Sequence, residues 1–436
     1  MITPESTLVE TLGPCTVRSP VRLQSLPGAA GGRFVPDRAR LRLQAEVDTG
    51  EPEQPDVFFE KAGPREWLFF DPTKVRAAIV TCGGLCPGLN NVIRSAFLEL
   101  HHNYGVREVL GLRYGYAGLN PALGQPPLRL TPELVDAIHE DGGTILGTSR
   151  GPQPADVMVD FLASQGIQVL LCAGGDGTLR GAMGIAREAR RRGLPLAVVG
   201  IPKTIDNDVL YITRTFGVST AIEQARQVLD CAHNEAKSVF NGVGLVKVMG
   251  RDAGFIAAGA TLASQEVNFT LIPEVPLRLE GPKGFLEVLR RRLEARHHAV
   301  VVVAEGAGQD LLASVGEQRD ASGNKLHADI GPFLKEQILA YMRRVGLPVE
   351  VKYFDPSYLV RSVPANTDDA MLCDQFARHA VHAALAGKTN VVIGLWYGVF
   401  THVPIPLAVS AKKHVNPAGA FWRGVLAATG QPAAWE

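Results

Sequence analysis

IQVLLCAGGDGTLRGAMGIAREARRRGLPLAVVGIPKTIDND, Ile167 to Asp208, carries the fold in one continuous unit. Val169, Leu170, Leu171 and Cys172 form a short apolar run that stops at Gly174-Gly175-Asp176-Gly177. The segment LRGAMGIAREARRRG that follows has helical character, and LPLAVVGIPKT is a second apolar run that empties into a loop. Short apolar runs bounded by glycine read as strands buried on both faces. Strand, helix and strand in succession predict a parallel sheet with helices packed on it.

The pattern repeats on either side. VRAAIVTCGG precedes GLNNVIRSAFLELHHNYG, where Val92, Ile93, Ala96, Phe97 and Leu100 keep helical spacing. GLVKVMG and AVVVVAEGAG end strands in glycine again. Near Ser219 a helix is expected to open with a capping box running from Thr220 to Glu223. The fold class is therefore α/β, mostly parallel sheets flanked by helices. In such sheets ligands gather at the carboxyl ends of the strands. Those ends carry TCGGLCPG, AGGDGT, IPKTIDND, VMGRDAG and AEGAG.

Residues 1–73 differ: they are rich in Pro, Arg and Glu, weakly periodic, and end in FFDPTK. They read as an N-terminal extension with a few short strands. The 436 residues suffice for two domains or three small ones, and a formal net charge of zero gives no drive toward nucleic acid or an anionic membrane. REARRRG (Arg187 to Gly193) and LRRRLEARHH (Leu289 to His298) sit in helical patterns and read as solvated faces. No secretory signal opens the chain, and no apolar run reaches the roughly 20 residues of a membrane span. Cys15, Cys82, Cys86, Cys172, Cys231 and Cys373 are scattered. CGGLC lacks the second Cys/His pair of a zinc site and reads as buried thiols in a tight turn. A reducing, cytoplasmic setting is expected.

The loops suggest phosphate chemistry. In AGGDGT, Gly174, Gly175 and Gly177 let backbone N–H groups close on phosphate oxygens at a helix start, and Asp176 suits a Mg²⁺ on those oxygens. An isolated GGDG is as readily a plain strand-to-helix turn. Gly83 and Gly84 offer a second glycine-rich turn, and GGTILGTSRG ends in Arg150, a permanent cation suited to polyphosphate. Asp206 or Asp208 can supply a base to a hydroxyl attacking phosphorus. Lys203 would neutralise charge on the transferred group, and Thr204 would donate a hydrogen bond.

With these loops in order the sequence resembles the phosphofructokinase family. GGLCPGLNNVIR, GGDGT, PKTIDND, VMGR, EGAG and DPSYLVR carry the resemblance, from about Lys74 to the C-terminus. It implies a two-lobed enzyme that phosphorylates the 1-hydroxyl of fructose 6-phosphate with Mg²⁺. The lobe for nucleotide and Mg²⁺ would span 74–217 and 360–410, and the sugar-phosphate lobe 218–359 and 411–436. By the same resemblance Asp206 is the base and Thr204 touches the sugar, while Asp208 orients the loop or helps hold the metal. Met249, Gly250, Arg251 and Glu305 contact the sugar, and Tyr358 and Arg361 its 6-phosphate, with Lys352 as a further positive charge. Tyr358 stands where many bacterial members carry histidine. Gly84, Arg150, Gly151, Gly175, Asp176, Gly177 and Thr178 form the nucleotide cradle.

Two positions bear on the phosphoryl donor. Pyrophosphate users resemble GGDD, whose second carboxylate intrudes on a nucleotide's α-phosphate, so Gly177 favours ATP. Lys203 points to pyrophosphate, since many bacterial ATP users carry glycine there. The mixture resembles the ATP-dependent members, including the trypanosomal ones, of the branch otherwise rich in pyrophosphate enzymes. ATP is the expected donor, and a pyrophosphate-dependent phosphofructokinase is the alternative. NAD and diacylglycerol kinases share GGDGT but not the other motifs, and a non-catalytic subunit is disfavoured by the retention of Asp176, Asp206 and Arg251. The family resemblance implies a homodimer or homotetramer. Many bacterial members reach a neighbouring subunit's sugar phosphate with an arginine shortly before VMGR. Gly242 stands there, which puts that contact in question.

Overall fold

The computed structural model describes residues 2–22, 34–46, 56–312 and 327–436. The chain divides into two compact units. The first comprises Met1–Thr204, Val209–Phe216 and Pro364–Ala411, and the second Ile205–Asp208, Gly217–Val363 and Lys412–Glu436. The strands used below are, in chain order, β1 (Arg40–Arg42), β2 (Phe58–Lys61), β3 (Arg76–Thr81), β4 (Glu108–Leu112), β5 (Leu128–Arg129), β6 (Val169–Gly174) and β7 (Ala197–Pro202). Then come β8 (Gly242–Val248), β9 (Phe269–Leu271), β10 (His298–Ala304), β11 (Glu350–Phe354), β12 (Val391–Trp396) and β13 (Val399–Pro404).

Unit one is built on a sheet of order β1-β2-β13-β12-β7-β6-β3-β4-β5 among the described residues. Its centre, β12-β7-β6-β3-β4, is parallel. Every residue of β6 and β7 is buried, as their unbroken apolar character requires. Burying each such Val, Leu or Ile contributes about 1.5–3 kcal/mol. Helix α1 (Leu89–Leu98) buries Val92, Ile93, Ala96 and Phe97 of the predicted stripe, and its fifth member, Leu100, is buried just past the helix end. Helix α2 (Asp176–Arg191) buries Leu179, Ala182, Ile185, Ala186 and Ala189. Its outer face ties Arg191 and Arg192 to Glu188 at 2.7 and 2.6 Å. That is the solvated face expected of the arginine run.

Two strands of the N-terminal region, β1 and β2, are part of this sheet. β2 pairs antiparallel with β13, and β1 with β2. The pairing brings Glu60 onto a buried cluster: Arg65, Lys388 and His402 all reach its Oε1 at 3.0 Å. Burial would raise the Glu60 carboxyl, but the hydrogen bonds and charges of His402 and Lys388 outweigh it and hold the group far below the usual carboxylate range.

Unit two holds a parallel sheet of order β9-β10-β8-β11. Helix α3 (Val218–Lys237) begins at Gly217, whose φ of +92° makes the entering turn, with no side-chain cap. The expected capping box is therefore corrected: Thr220 lies inside the helix, buried, because the glycine starts it earlier. None of the six cysteines is in a disulfide, and Cys82 and Cys86 are buried. Among the described residues no helix is long and apolar enough to cross a membrane.

Candidate active site

In unit one the register sets three loops side by side. Pro202 of β7 stands opposite Gly174 of β6, and Ala173 opposite Thr81 of β3. The loops after Thr81, Gly174 and Pro202 thus leave from one edge. They are laced together: the Lys203 N–H donates to the Gly174 carbonyl at 3.1 Å, and the Cys82 N–H to Ala173 at 3.0 Å. The Lys203 ammonium donates to the Gly84 carbonyl at 2.7 Å. Gly83 donates its N–H to Ser149 at 3.0 Å, and Thr148 returns a bond to the Gly83 carbonyl at 2.6 Å, which sets Arg150 and Gly151 next to this cluster in sequence.

Asp176 is the first residue of α2 and is paired with Arg180 at 2.9 Å across one turn. A Cβ built on Gly177 would meet nothing within 4 Å, so the loop opens outward there. Thr178 is buried and turned back: a Cβ on Gly174 would lie 2.1 Å from its Oγ1. Its side chain anchors the turn rather than lining it. Thr204 contributes its carbonyl, which accepts from Thr215 at 2.7 Å.

Unit two gathers a second set of loops at the carboxyl ends of β8, β10 and β11. Glu305 donates its N–H to Val248 at 3.0 Å, and Gly306 to Gly250 at 3.1 Å, so VMGR and EGAG form one layer. Asp206 accepts a hydrogen bond from the backbone of Arg251. Burial, Asp208 and Glu305 push the Asp206 carboxyl up to about 8, against the opposing pull of that bond and of Lys412. Burial also raises Glu305, with Arg251 and Lys247 opposing. Asp206, Asp208, Arg251 and Glu305 thus share one electrostatic neighbourhood. Tyr358 is 75% exposed, and the Arg361 guanidinium lies over its ring at 4.7 Å. Arg251 also lines a cavity of about 380 Å³ with Asp252, Glu274, Gly306, Gln309 and His414.

The layer depends on Gly306. A Cβ there would lie 1.8 Å from the Arg251 carbonyl oxygen. Gly306→Ala is expected to cost about 1–3 kcal/mol through overpacking and to displace Arg251. Thermal denaturation checks this, and an unchanged midpoint would refute the contact.

Set beside known proteins, a sequence model of the phosphofructokinase family matches residues 76–384. The chain belongs to the phosphofructokinase family. It is 46% identical over 432 residues to an ATP-dependent 6-phosphofructokinase of Borreliella burgdorferi, covering 97% of this chain and 96% of that protein. The corresponding protein of Amycolatopsis methanolica is 44% identical, covering 98% and 95%. Among solved structures, a pyrophosphate-dependent phosphofructokinase of Marinobacter aquaeolei matches with a TM-score of 0.67 at 19% identity, over 83% of this chain and 93% of that one. At that identity the likeness speaks for the fold, which is that of a phosphofructokinase.

The Lys352 ammonium pairs with Glu350 at 2.6 Å. Lys247 on β8 lies 2.8 Å from Asp355 and within the field of Glu305. Gly242 is buried, and a Cβ there would strike the Ala236 carbonyl at 2.1 Å, so packing leaves no room for an arginine. Sequence reasoning also missed Lys412, Lys413 and His414, which reach Asp208 and the backbone of Asp252. A Lys-Lys-His run in a loop closed by Pro417 is the only signal they leave in the sequence.

Proposed function

We propose that the protein catalyses the ATP-dependent phosphorylation of fructose 6-phosphate to fructose 1,6-bisphosphate, a step of glycolysis. The observation that carries the reading is the setting of Asp206, a carboxyl held by the Arg251 backbone with its pKa lifted into the working range of a general base. Asp206 takes the proton of the sugar 1-hydroxyl as that oxygen bonds the γ-phosphorus. The bond from phosphorus to the bridging β,γ-oxygen breaks, and ADP leaves with the electron pair. Met249, Gly250, Arg251 and Glu305 hold the sugar, and Tyr358 and Arg361 its phosphate. Gly84, Arg150, Gly151 and the Gly175–Thr178 turn hold the donor, Lys203 stabilises the transferred group, and Thr204 contacts the sugar.

Asp176 fits Mg²⁺, which is bound through one or two carboxylates together with substrate phosphates and water. Its carboxylate is partly exposed at a helix start beside glycine N–H groups. When bound, the ion would neutralise phosphate charge. The names of the relatives support ATP as donor, since those of Borreliella, Amycolatopsis and Entamoeba histolytica are all ATP-dependent. Lys203 favours the second reading, pyrophosphate. Purified protein with fructose 6-phosphate, Mg²⁺ and either donor decides between them. Turnover with ATP is expected, and product formed only with pyrophosphate would overturn it. The reading carries with it a homodimer or homotetramer, as the family implies, and a cytoplasmic setting.

A further inference from the structure

Asp206 and Asp208 stand one residue apart in unit two, with Glu305 adding a third carboxylate to the field. Three acids collected at one partly buried place repel one another and need a cation to hold them. Arg251 supplies one charge from the motif side. Another comes from the far end of the chain. The Lys412 ammonium donates to Asp208 Oδ2 across a sequence separation of 204 residues. The next residue repeats the contact through the backbone, with the Lys413 N–H on the Asp208 carbonyl at 2.9 Å.

The same short segment grips the sugar-binding loop. His414 Nδ1 lies 2.7 Å from the Asp252 carbonyl, and the Val415 N–H donates to Glu274 Oε1 at 2.8 Å. Glu274 in turn accepts from the Gly254 N–H at 3.0 and 3.1 Å. The Lys413 ammonium rests over the Phe255 ring at 5.1 Å. Residues 412–415 therefore form a strap that ties the Asp206–Asp208 loop to the loop Arg251–Phe255. These contacts fall on the segments that present Asp206 and Arg251, the Val415 bond through Glu274.

We infer that Lys412 is a positioning residue for phosphoryl transfer: by pairing with Asp208 it fixes the loop that aims Asp206. The inference rests on the proposed role of Asp206 as base. Lys412 touches neither donor nor acceptor in this assignment. Its removal leaves substrate contacts in place while the base drifts, and misplacement of about 1 Å can cost on the order of a hundredfold in rate.

The test compares Lys412→Gln, Lys412→Arg, Asp208→Asn and the Gln/Asn double variant in steady-state kinetics. The Lys412 side chain is 34% exposed, which makes the glutamine variant compatible with folding. Lys412→Gln is expected to lower kcat by about tenfold or more, with KM for fructose 6-phosphate and ATP within about threefold. Lys412→Arg restores most of kcat. The double variant is no worse than Asp208→Asn alone, since both act through one contact. Wild-type kcat in Lys412→Gln overturns the inference. So does a loss in Lys412→Arg as deep as in Lys412→Gln, or full additivity in the double variant. Wild-type protein without kinase turnover, or Asp206→Asn with full turnover, sinks instead the reading on which the inference rests.

Discussion

Asp206→Asn is expected to lose about 10²–10⁴ in kcat, the usual contribution of a positioned general base. Asparagine matches aspartate in size and still offers an oxygen to the Arg251 backbone, so KM for fructose 6-phosphate should hardly move. What disappears is the proton acceptor. The free wild-type enzyme carries this carboxyl at about 8, raised by burial, Asp208 and Glu305. Its basic form is therefore the minority below that pH, and kcat/KM should fall about tenfold per unit on the acid side. The asparagine variant should lack that limb.

Stability moves the other way. The folded chain keeps a proton on Asp206 that the unfolded chain releases above the ordinary value of 3.8. Stability falls wherever the native state binds more protons, so ionising this group weakens the fold as pH rises from about 4 to 8. Asp206→Asn removes that loss. Its melting temperature should exceed the wild-type value at pH 9, and the gap should close as pH falls toward 4. A variant with wild-type kcat would take Asp206 out of the base role. An acid limb centred near 4 would contradict its environment.

The strand–helix–strand core was legible because burial on both faces leaves an unbroken apolar run, as in β6 and β7. The loops were legible for a related reason: charge at the end of such a run has no core to pack into, and the glycines beside it mark close backbone approaches such as that of Gly306 to Arg251. Three features escaped. The start of α3 is set by the backbone angle of Gly217, which competes with a plausible side-chain cap at Thr220. That Lys247 meets Asp355 while Lys352 meets Glu350 is set by tertiary neighbours, and strand pattern alone does not give that. Lys412 is paired with an acid 204 positions away, and in sequence it looks like any solvated lysine. β2 shows the same limit, since it joins the main sheet through β13, more than three hundred residues later in the chain. Local pattern places such a short strand poorly, because what fixes it is its partners.

Gly177→Asp is the second large effect, and it bears on the donor. Glycine here has nothing within 4 Å of where a Cβ would stand. It is the second residue of α2, where an added carboxylate interacts favourably with the helix dipole. The variant should therefore fold at least as well as the wild type, and a loss of activity cannot be charged to damage. In the proposed assignment the open space is where a nucleotide's α-phosphate lies, beside Asp176. A second carboxylate would fill it and add a negative charge facing another. Attraction turned to repulsion at such range should lower kcat/KM for ATP by about tenfold or more, equivalent to about 1.4 kcal/mol. Gly177→Ala separates the two causes, for a methyl group brings bulk without charge. It should lose less than the aspartate variant. Unchanged kcat/KM for ATP in Gly177→Asp would place the nucleotide elsewhere and remove the argument that this glycine selects the donor.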